Sequence, residues 1–350
     1  MVSAINIAGR MVGPGHPCFI VAEAGVNHNG DLDMALRLVD IAVQAGADAV
    51  KFQTFKANRL VTPEAPKALY QQATTSTAES QLDMLRRLEL TVEAHRTLQA
   101  HCRKKNIVFM STPFDETSVK LLDSLNVPVF KVPSGEITNL PFLSYLARRG
   151  RPMIISTGMS SLREVKAAVT AIKETGNNEF VLLHCVSNYP AAPEDANLRA
   201  MDTLARTFRV PVGYSDHTTG NEVALAAVAR GACVIEKHFT VDRKLPGPDH
   251  KASIEPRNLA ALVKGIRTVE AALGHGRKES VPNEADTAAV ARKSLVTARD
   301  LAAGTVLTAE MLAIKRPGTG LPPSMLSKVI RRRLRNAVPK GTLLTSDMLQ

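Results

Sequence analysis

The chain has 350 residues, 45% of them hydrophobic, enough for one large domain with a sizeable core and a small second one. A formal net charge of +11 calls for an anionic partner, but not nucleic acid: the run Arg331, Arg332, Arg333 and Arg335 holds no aromatic residue, and the chain has four Tyr and no Trp. No stretch approaches eighteen uninterrupted apolar residues and the first thirty lack a secretory pattern, so no membrane partner is expected and the protein should be cytoplasmic.

In chain order, short β-rich apolar runs alternate with amphipathic segments. The runs predicted as strands are Cys18–Gly25, Ala49–Phe55, Ile107–Phe114, Val129–Glu136, Met153–Met159, Phe180–Val186, Val210–His217 and Cys233–Thr240. Segments such as Asp31–Gly46 and Thr91–Asn106 repeat apolar residues at helical spacing, and capping residues open many of the connections. Eight βα units without an antiparallel break predict an α/β fold, a (β/α)8 TIM barrel. Cys18, Cys102, Cys185 and Cys233 show no C-x-x-C spacing, and three lie in strand-like runs, so buried reduced thiols are expected.

Beyond the helix ending near Leu273, the polar stretch Gly274–Asp286 reads as a linker. Residues 1–276 are assigned to the barrel, 277–291 to the linker and 292–350 to a small C-terminal module. Within the module "AGTVLTAEML" and "KGTLLTSDML" echo one another. Each reads as a Gly turn, a short strand and a helical start capped by Thr308 or Thr345, a structural duplication and not a ligand site.

Barrel chemistry gathers at the C-terminal ends of the strands, and there the apolar runs turn polar. Lys51 and Lys131, with the hydroxyls of Thr112, Ser134, Ser156 and Ser215, would converge on one mouth. Two ammonium groups and several hydroxyl donors suit a compact phosphate plus carboxylate, and no Walker-type glycine loop is present to serve instead. A phosphorylated small acid is therefore the expected ligand. His217 and His238 end adjacent strands and would share one divalent metal. With two protein nitrogens the coordination stays open, which favours exchangeable Mn²⁺ or Mg²⁺ over closed structural Zn²⁺. Glu23, Glu136 and Asp249 bring carboxylates to the same mouth, as acceptors for sugar hydroxyls or as a base for water. His28 and His250 are expected to orient loops, and His184 to pack within its strand.

The phrases "AEAGVNHNGDLDMA", "AVKFQTFKA", "STPFDETS", "FKVPSGEITNLP", "ISTGM", "LHCVSNYPA", "GYSDHTTG", "IEKHFT", "LPGPDHKAS" and "KRPGTG" resemble, in order, the bacterial sialic acid synthase family. Its members make N-acetylneuraminic, legionaminic or pseudaminic acid, and the resemblance runs from about Phe19 to the C-terminus. It implies a TIM barrel followed by a SAF (antifreeze-like, β-clip) domain, in a domain-swapped homodimer. It also implies that Lys51, Thr112, Lys131, Ser134, Ser156 and Ser215 bind phosphoenolpyruvate, that His217 and His238 bind the metal, and that Glu136 is the base. Glu23, Gln53, Tyr189 and Asp249 would hold an N-acylmannosamine, with Arg316 of "KRPGTG" reaching the sugar from the partner chain. Ser187 stands two before Tyr189 where some sialic acid synthases carry Asn, which bears on the identity of the sugar. The competing readings are a synthase of another keto-acid acting on a phosphorylated pentose or tetrose, and a degenerate barrel carrying a polysaccharide-binding module. The presence of Arg316 opposes the first, and that of Lys51, Lys131 and His238 the second.

Overall fold

Each apolar run becomes a strand whose alternate residues face opposite ways. The computed structural model describes residues 2–72, 74–76 and 78–350 and divides into two units, Met1–Gly274 and His275–Gln350. In the first unit a hairpin, β1 (Ile5–Ile7) and β2 (Arg10–Val12), precedes eight strands: β3 (Phe19–Gly25), β4 (Ala49–Thr54), β5 (Val108–Pro113), β6 (Phe130–Val132), β7 (Met153–Ser156), β8 (Phe180–Cys185), β9 (Val212–Asp216) and β10 (Val234–His238). They form one parallel sheet in the order β5-β4-β3-β10-β9-β8-β7-β6. Its edges β5 and β6 lie side by side, giving a nearly closed barrel, as expected for the fold.

Amphipathic helices cover the outside. The helix Leu32–Ala45 starts where Asp31 accepts the amides of Asp33 and Met34, and ends at Gly46 with φ 79°, a left-handed conformation that suits glycine. The helix Val92–Lys104 is capped by Thr91, whose side chain accepts the amide of Ala94.

Period-two alternation splits the core in two. Ile20, Ala22, Val50, Phe52, Phe130, Ile155, Leu182 and Ile235 point outward into the layer shared with the helices. Phe19, Val21, Ala49, Met110, Ile154, Val181 and Val234 point inward and pack with Ile5, Ile7 and Val12 of the hairpin, which plugs the barrel floor. The hairpin had no sequence signal, because its strands have three residues each. All four cysteines are buried and free, as expected.

One strand is shorter than its apolar run suggested. The run Val129–Glu136 yields only β6, because Pro133 has no N–H to continue a ladder, and a 3-10 turn, Ser134–Glu136, follows.

The second unit has its own core, formed by Leu295, Leu301, Leu307, Val329, Leu334, Val338, Leu344 and Leu349. β11 (Ser294–Thr297) pairs antiparallel with β12 (Leu312–Lys315). The sequence echo is a geometric one: Thr305 Oγ1 donates to Ala302 O and Thr342 Oγ1 to Pro339 O, each at 2.7 Å. The expected caps do not form. Thr308 and Thr345 precede single 3-10 turns, each closed through the threonine's backbone carbonyl and not its hydroxyl. The segment 277–291 carries a 3-10 turn, Pro282–Glu284, and a helix, Ala285–Ala291, and Ala289 O accepts the amide of Gly318 at 2.7 Å. Among the described residues no helix is long and apolar enough to cross a membrane.

Candidate active site

Inward alternation continues to the C-terminal strand ends, where the inward positions turn polar. Register sets His238 level with Glu23, Glu23 with Lys51, and Gln53 with Thr112. Across the ring, Cys185 lies level with Ser215, and Ser215 with Glu236. A bulge between Glu23 and Gly25 re-aims the end of β3. At Gly25, φ is 54° and an added Cβ would stand 3.3 Å from Glu23 Oε1, 3.5 Å from His238 Cε1 and 3.6 Å from Asp249 Oδ2. Three functional side chains therefore meet over a bare glycine, at a cavity of about 450 Å³.

Four ionisable groups sit at its base, with exposures of 1% for Glu23, 3% for Lys51, 2% for Lys131 and 5% for Glu236. Lys51 Nζ lies 2.7 Å from Glu23 Oε2 and 3.6 Å from Glu236 Oε2, and donates to Thr112 Oγ1 at 3.2 Å. Lys131 Nζ donates to Ser156 Oγ at 2.8 Å and lies 3.6 Å from Glu236 Oε1, which also accepts Ser215 Oγ at 3.1 Å. Removing such ions from water costs several kcal/mol each, so a barrel gains no stability from them and their place is explained by chemistry.

The four are not equivalent. Burial raises the Glu23 carboxyl against the pull of Lys51. Burial also opposes ionisation of Glu236, but Lys131 and Lys51 together outweigh it and hold that carboxyl well below the usual range. For Lys51 the cost of burial is more than offset by Glu23 and Glu236, so its pKa rises. Lys131, with Glu236 alone close by, is lowered by burial. Lys131 is thus the less compensated cation, the one that gains most from an incoming anion.

Above them, His217 Nδ1 faces Val186 O at 2.7 Å and donates to it; burial opposes the ring's charge, but Cys185 and Val186 O outweigh it and raise its pKa, so Nε2 must shed its proton for a metal to bind. His238 Nδ1 is buried without a hydrogen-bond partner. Burial, reinforced by His217 and Lys51, keeps His238 neutral, as a metal ligand must be. The two rings are 5.5 Å apart, and the Tyr189 ring lies 4.2 Å from that of His217 and 5.6 Å from that of His238. Two imidazoles with available nitrogens fit a divalent cation with open coordination. Among the described residues no group of three or more His, Cys, Asp or Glu side chains gathers as a metal site.

The NeuB family profile matches residues 38–278 and the SAF domain profile residues 292–350. The chain belongs to the NeuB family. It is 50% identical over 337 residues to the N,N'-diacetyllegionaminic acid synthase of Legionella pneumophila, covering 95% of each chain. It is 40% identical over 349 residues to the human N-acetylneuraminate-9-phosphate synthase, covering 97% of this chain and 95% of that one. The N-acetylneuraminic acid synthetase of Leptospira borgpetersenii, solved in complex with citrate, superposes with a TM-score of 0.72 at 38% identity, over 82% of this chain and 95% of that one.

In this NeuB-family chain the cavity gathers Glu23, Lys51, Gln53, Thr112, Lys131, Ser134, Ser156, Tyr189, Ser215, His217, His238 and Asp249. Asp249, raised by burial to about 6 against the pull of His217, stands at the rim. Glu136 is not among the lining residues. It ends the 3-10 turn that follows Pro133, and its Oε2 accepts Asn139 Nδ2 at 2.7 Å. Arg316, in the second unit, follows β12 and is exposed. His28 Nδ1 accepts the amide of Gly30 at 2.9 Å and His250 Nδ1 lies 2.6 Å from Thr240 Oγ1, both holding loops as expected. His184 Nε2 faces Ala196 O at 2.8 Å.

Sequence reasoning assigned Glu236 no role, although its inward parity, two before His238, marks it. Cys185 shares that parity on β8, with its Sγ 3.7 Å from His217 Nδ1. The connection from β4 to β5, which supplies Tyr70 and Gln71 to the cavity, had no signal at all.

Proposed function

We propose that this chain condenses phosphoenolpyruvate with the open-chain aldehyde of an N-acylamino-mannose, giving a keto acid of the sialic acid class and inorganic phosphate. The observation that carries this reading is the buried Lys51–Glu236–Lys131 arrangement under a pair of available imidazoles, in a chain whose 50% and 40% identical relatives are named as such synthases. Lys51, Thr112, Lys131, Ser134, Ser156 and Ser215 together hold the phosphate and carboxylate of phosphoenolpyruvate. Gln53, Tyr189 and Asp249 hold the sugar. A divalent cation held by His217 and His238, Mn²⁺ or Mg²⁺, supplies Lewis acidity toward the aldehyde oxygen.

C3 of phosphoenolpyruvate forms the new carbon–carbon bond to the aldehyde carbon. The aldehyde oxygen becomes an alkoxide and C2 an oxocarbenium, which water attacks. Glu23, raised toward neutrality, relays the water's proton to the alkoxide, and the tetrahedral centre then expels phosphate by C–O cleavage. Glu136 is not given this role, because its carboxylate bonds Asn139 outside the cavity. The lysines balance the charge of the departing phosphate.

The test uses phosphoenolpyruvate carrying ¹⁸O at the bridging oxygen, Mn²⁺ and an acylamino-mannose. Labelled phosphate and a new keto acid are expected, and unlabelled phosphate or no release would overturn the reading. The working unit is proposed to be a cytoplasmic, domain-swapped homodimer in which the exposed Arg316 of one chain serves the barrel of the other. Mixing inactive Lys51→Ala and Arg316→Ala dimers should then recover about a quarter of all sites, and no recovery after verified exchange would sink the swap. The 50% identical relative favours, as a second reading of the sugar, one that carries two acylamino groups.

A further inference from the structure

The wall of the cavity has a different chemistry from its base. Between β4 and β5 the chain folds across the mouth as three short helices, Ala57–Leu60, Leu69–Gln72 and Gln81–Arg87. This connection presents Leu60, Val61, Met84 and Leu85 to the cavity, together with Tyr70 and Gln71. Gln81 adds a second carboxamide. Among the described lining residues of the connection, none carries a charge. Its buried cation, Lys67, donates to Thr75 Oγ1 at 3.1 Å and Ser76 O at 2.8 Å and pairs with Glu79 at 3.5 Å, so its charge is satisfied within the connection.

The wall is held against the reacting end of the site. The Tyr70 ring lies 5.1 Å from that of Tyr189, which itself stacks on His217. Thr74 Oγ1 donates to Pro248 O at 3.3 Å, tying the connection to the loop that carries Asp249. A sugar whose aldehyde lies near the imidazoles therefore extends its far end toward Tyr70 and Gln71. An apolar wall with carboxamides suits an acylamino group: the methyl meets Tyr70 and the aliphatic side chains, and Gln71, whose Oε1 accepts the amide of Ala68 at 3.0 Å, offers its Nε2 as a donor to the acyl oxygen. A phosphate dianion against this wall would lose its hydration with no cation from the wall in return.

We propose that Tyr70 and Gln71 select the aldehyde by its far end, accepting an uncharged acylamino substituent and excluding a phosphorylated one. This deepens, and rests on, the synthase reading above.

The experiment measures phosphate release from phosphoenolpyruvate with three aldehydes: N-acetylmannosamine, its 6-phosphate and a 2,4-diacetamido-2,4,6-trideoxymannose. The wild type should prefer the diacetamido sugar over the 6-phosphate by about 1000-fold in kcat/KM, the scale on which mismatched polar sites reject ligands. Gln71→Ala should lower that sugar's kcat/KM by roughly 10- to 100-fold, with the phosphoenolpyruvate KM unchanged and N-acetylmannosamine within about threefold. Gln71→Glu, which keeps the side chain's shape, should show the same selective loss, and Gln71→Lys should narrow the gap to the 6-phosphate. Equal use of the 6-phosphate by the wild type, or a Gln71→Ala defect shared by all three sugars, would overturn the inference. Turnover of N-acetylmannosamine without preference for the diacetamido sugar would leave the synthase reading standing and remove this one. Turnover of none of the three would remove both.

Discussion

The base of the cavity and its β4–β5 wall are built in opposite ways. The base is made of strand ends, where each functional side chain rides on a strand held by ladder hydrogen bonds and is buried with its partners: Lys51 lies between Glu23 and Glu236, and Lys131 between Ser156 and Glu236. The wall is made of short helices held mainly by side-chain bonds, such as Ser80 Oγ accepting the amide of Asp83 at 3.1 Å and Arg87 paired with Glu79 at 2.6 Å. One region is charged and framed by backbone, the other neutral and framed by side chains. Reaction chemistry needs the first, since preorganised charge acts on a transition state only when its frame does not yield. Substrate choice can reside in the second, because a loop wall can change without disturbing the barrel.

The largest effect should come from the base. Lys131→Met removes the less compensated cation and leaves Glu236 with a single nearby lysine. Truncating one partner of a buried charged pair costs on the order of 2 to 5 kcal/mol, so kcat/KM for phosphoenolpyruvate should fall by about 30- to 5000-fold. The preference among sugars should not change. Steady-state kinetics varied in phosphoenolpyruvate checks this, and an unchanged dependence would take Lys131 out of the anion site.

A smaller effect is expected at the rim, where Asp249 stands on the loop tied to the wall through Thr74. Its pKa is about 6 in the fold against an ordinary 3.8, so between those values the folded state binds more protons than the unfolded one. Its contribution to stability is therefore present at low pH and lost as pH rises through that window. Asp249→Asn lacks the titration, so in chelator-treated protein its stability relative to wild type should improve by about 2 to 3 kcal/mol between pH 4 and pH 8. Denaturant unfolding at the two pH values measures it. A constant difference would mean that the carboxyl is not raised by burial.

The same contrast explains what the sequence disclosed. The base was legible because strand alternation is a hard geometric rule: once β3 to β10 are placed, parity alone sends Lys51, Lys131, Ser215 and His238 inward. That rule also separates Glu236 from its neighbour Lys237, which points outward and pairs with Asp216 at 2.6 Å. Glu136 lies past Pro133 on a 3-10 turn, where strand parity no longer says which way a side chain faces. The wall was illegible because Tyr70 and Gln71 lie on a four-residue helix, too short for any periodicity, and their position depends on Lys67 and Glu79, whose pairing no local pattern announces.

The smallest effect tests whether the wall is organised from within. Lys67 is 8% exposed, and its ammonium joins Thr75, Ser76 and Glu79, while Gln72 Nε2 donates back to Lys67 O at 2.8 Å. Lys67→Met keeps most of the side chain's bulk but releases the groups that the ammonium gathers. The barrel core does not include this segment, so the midpoint of thermal unfolding should move little. Tyr70 and Gln71 would be ordered only on binding, and immobilising a few side chains costs about 1 kcal/mol. That cost should appear as roughly a fivefold rise in the KM for the sugar, with kcat and the phosphoenolpyruvate KM unchanged. Lys67→Arg, which restores the charge but not the fit, should recover part of it. A fall in kcat for every aldehyde would instead show that the wall and the base are one mechanical unit, and the division between them would fail.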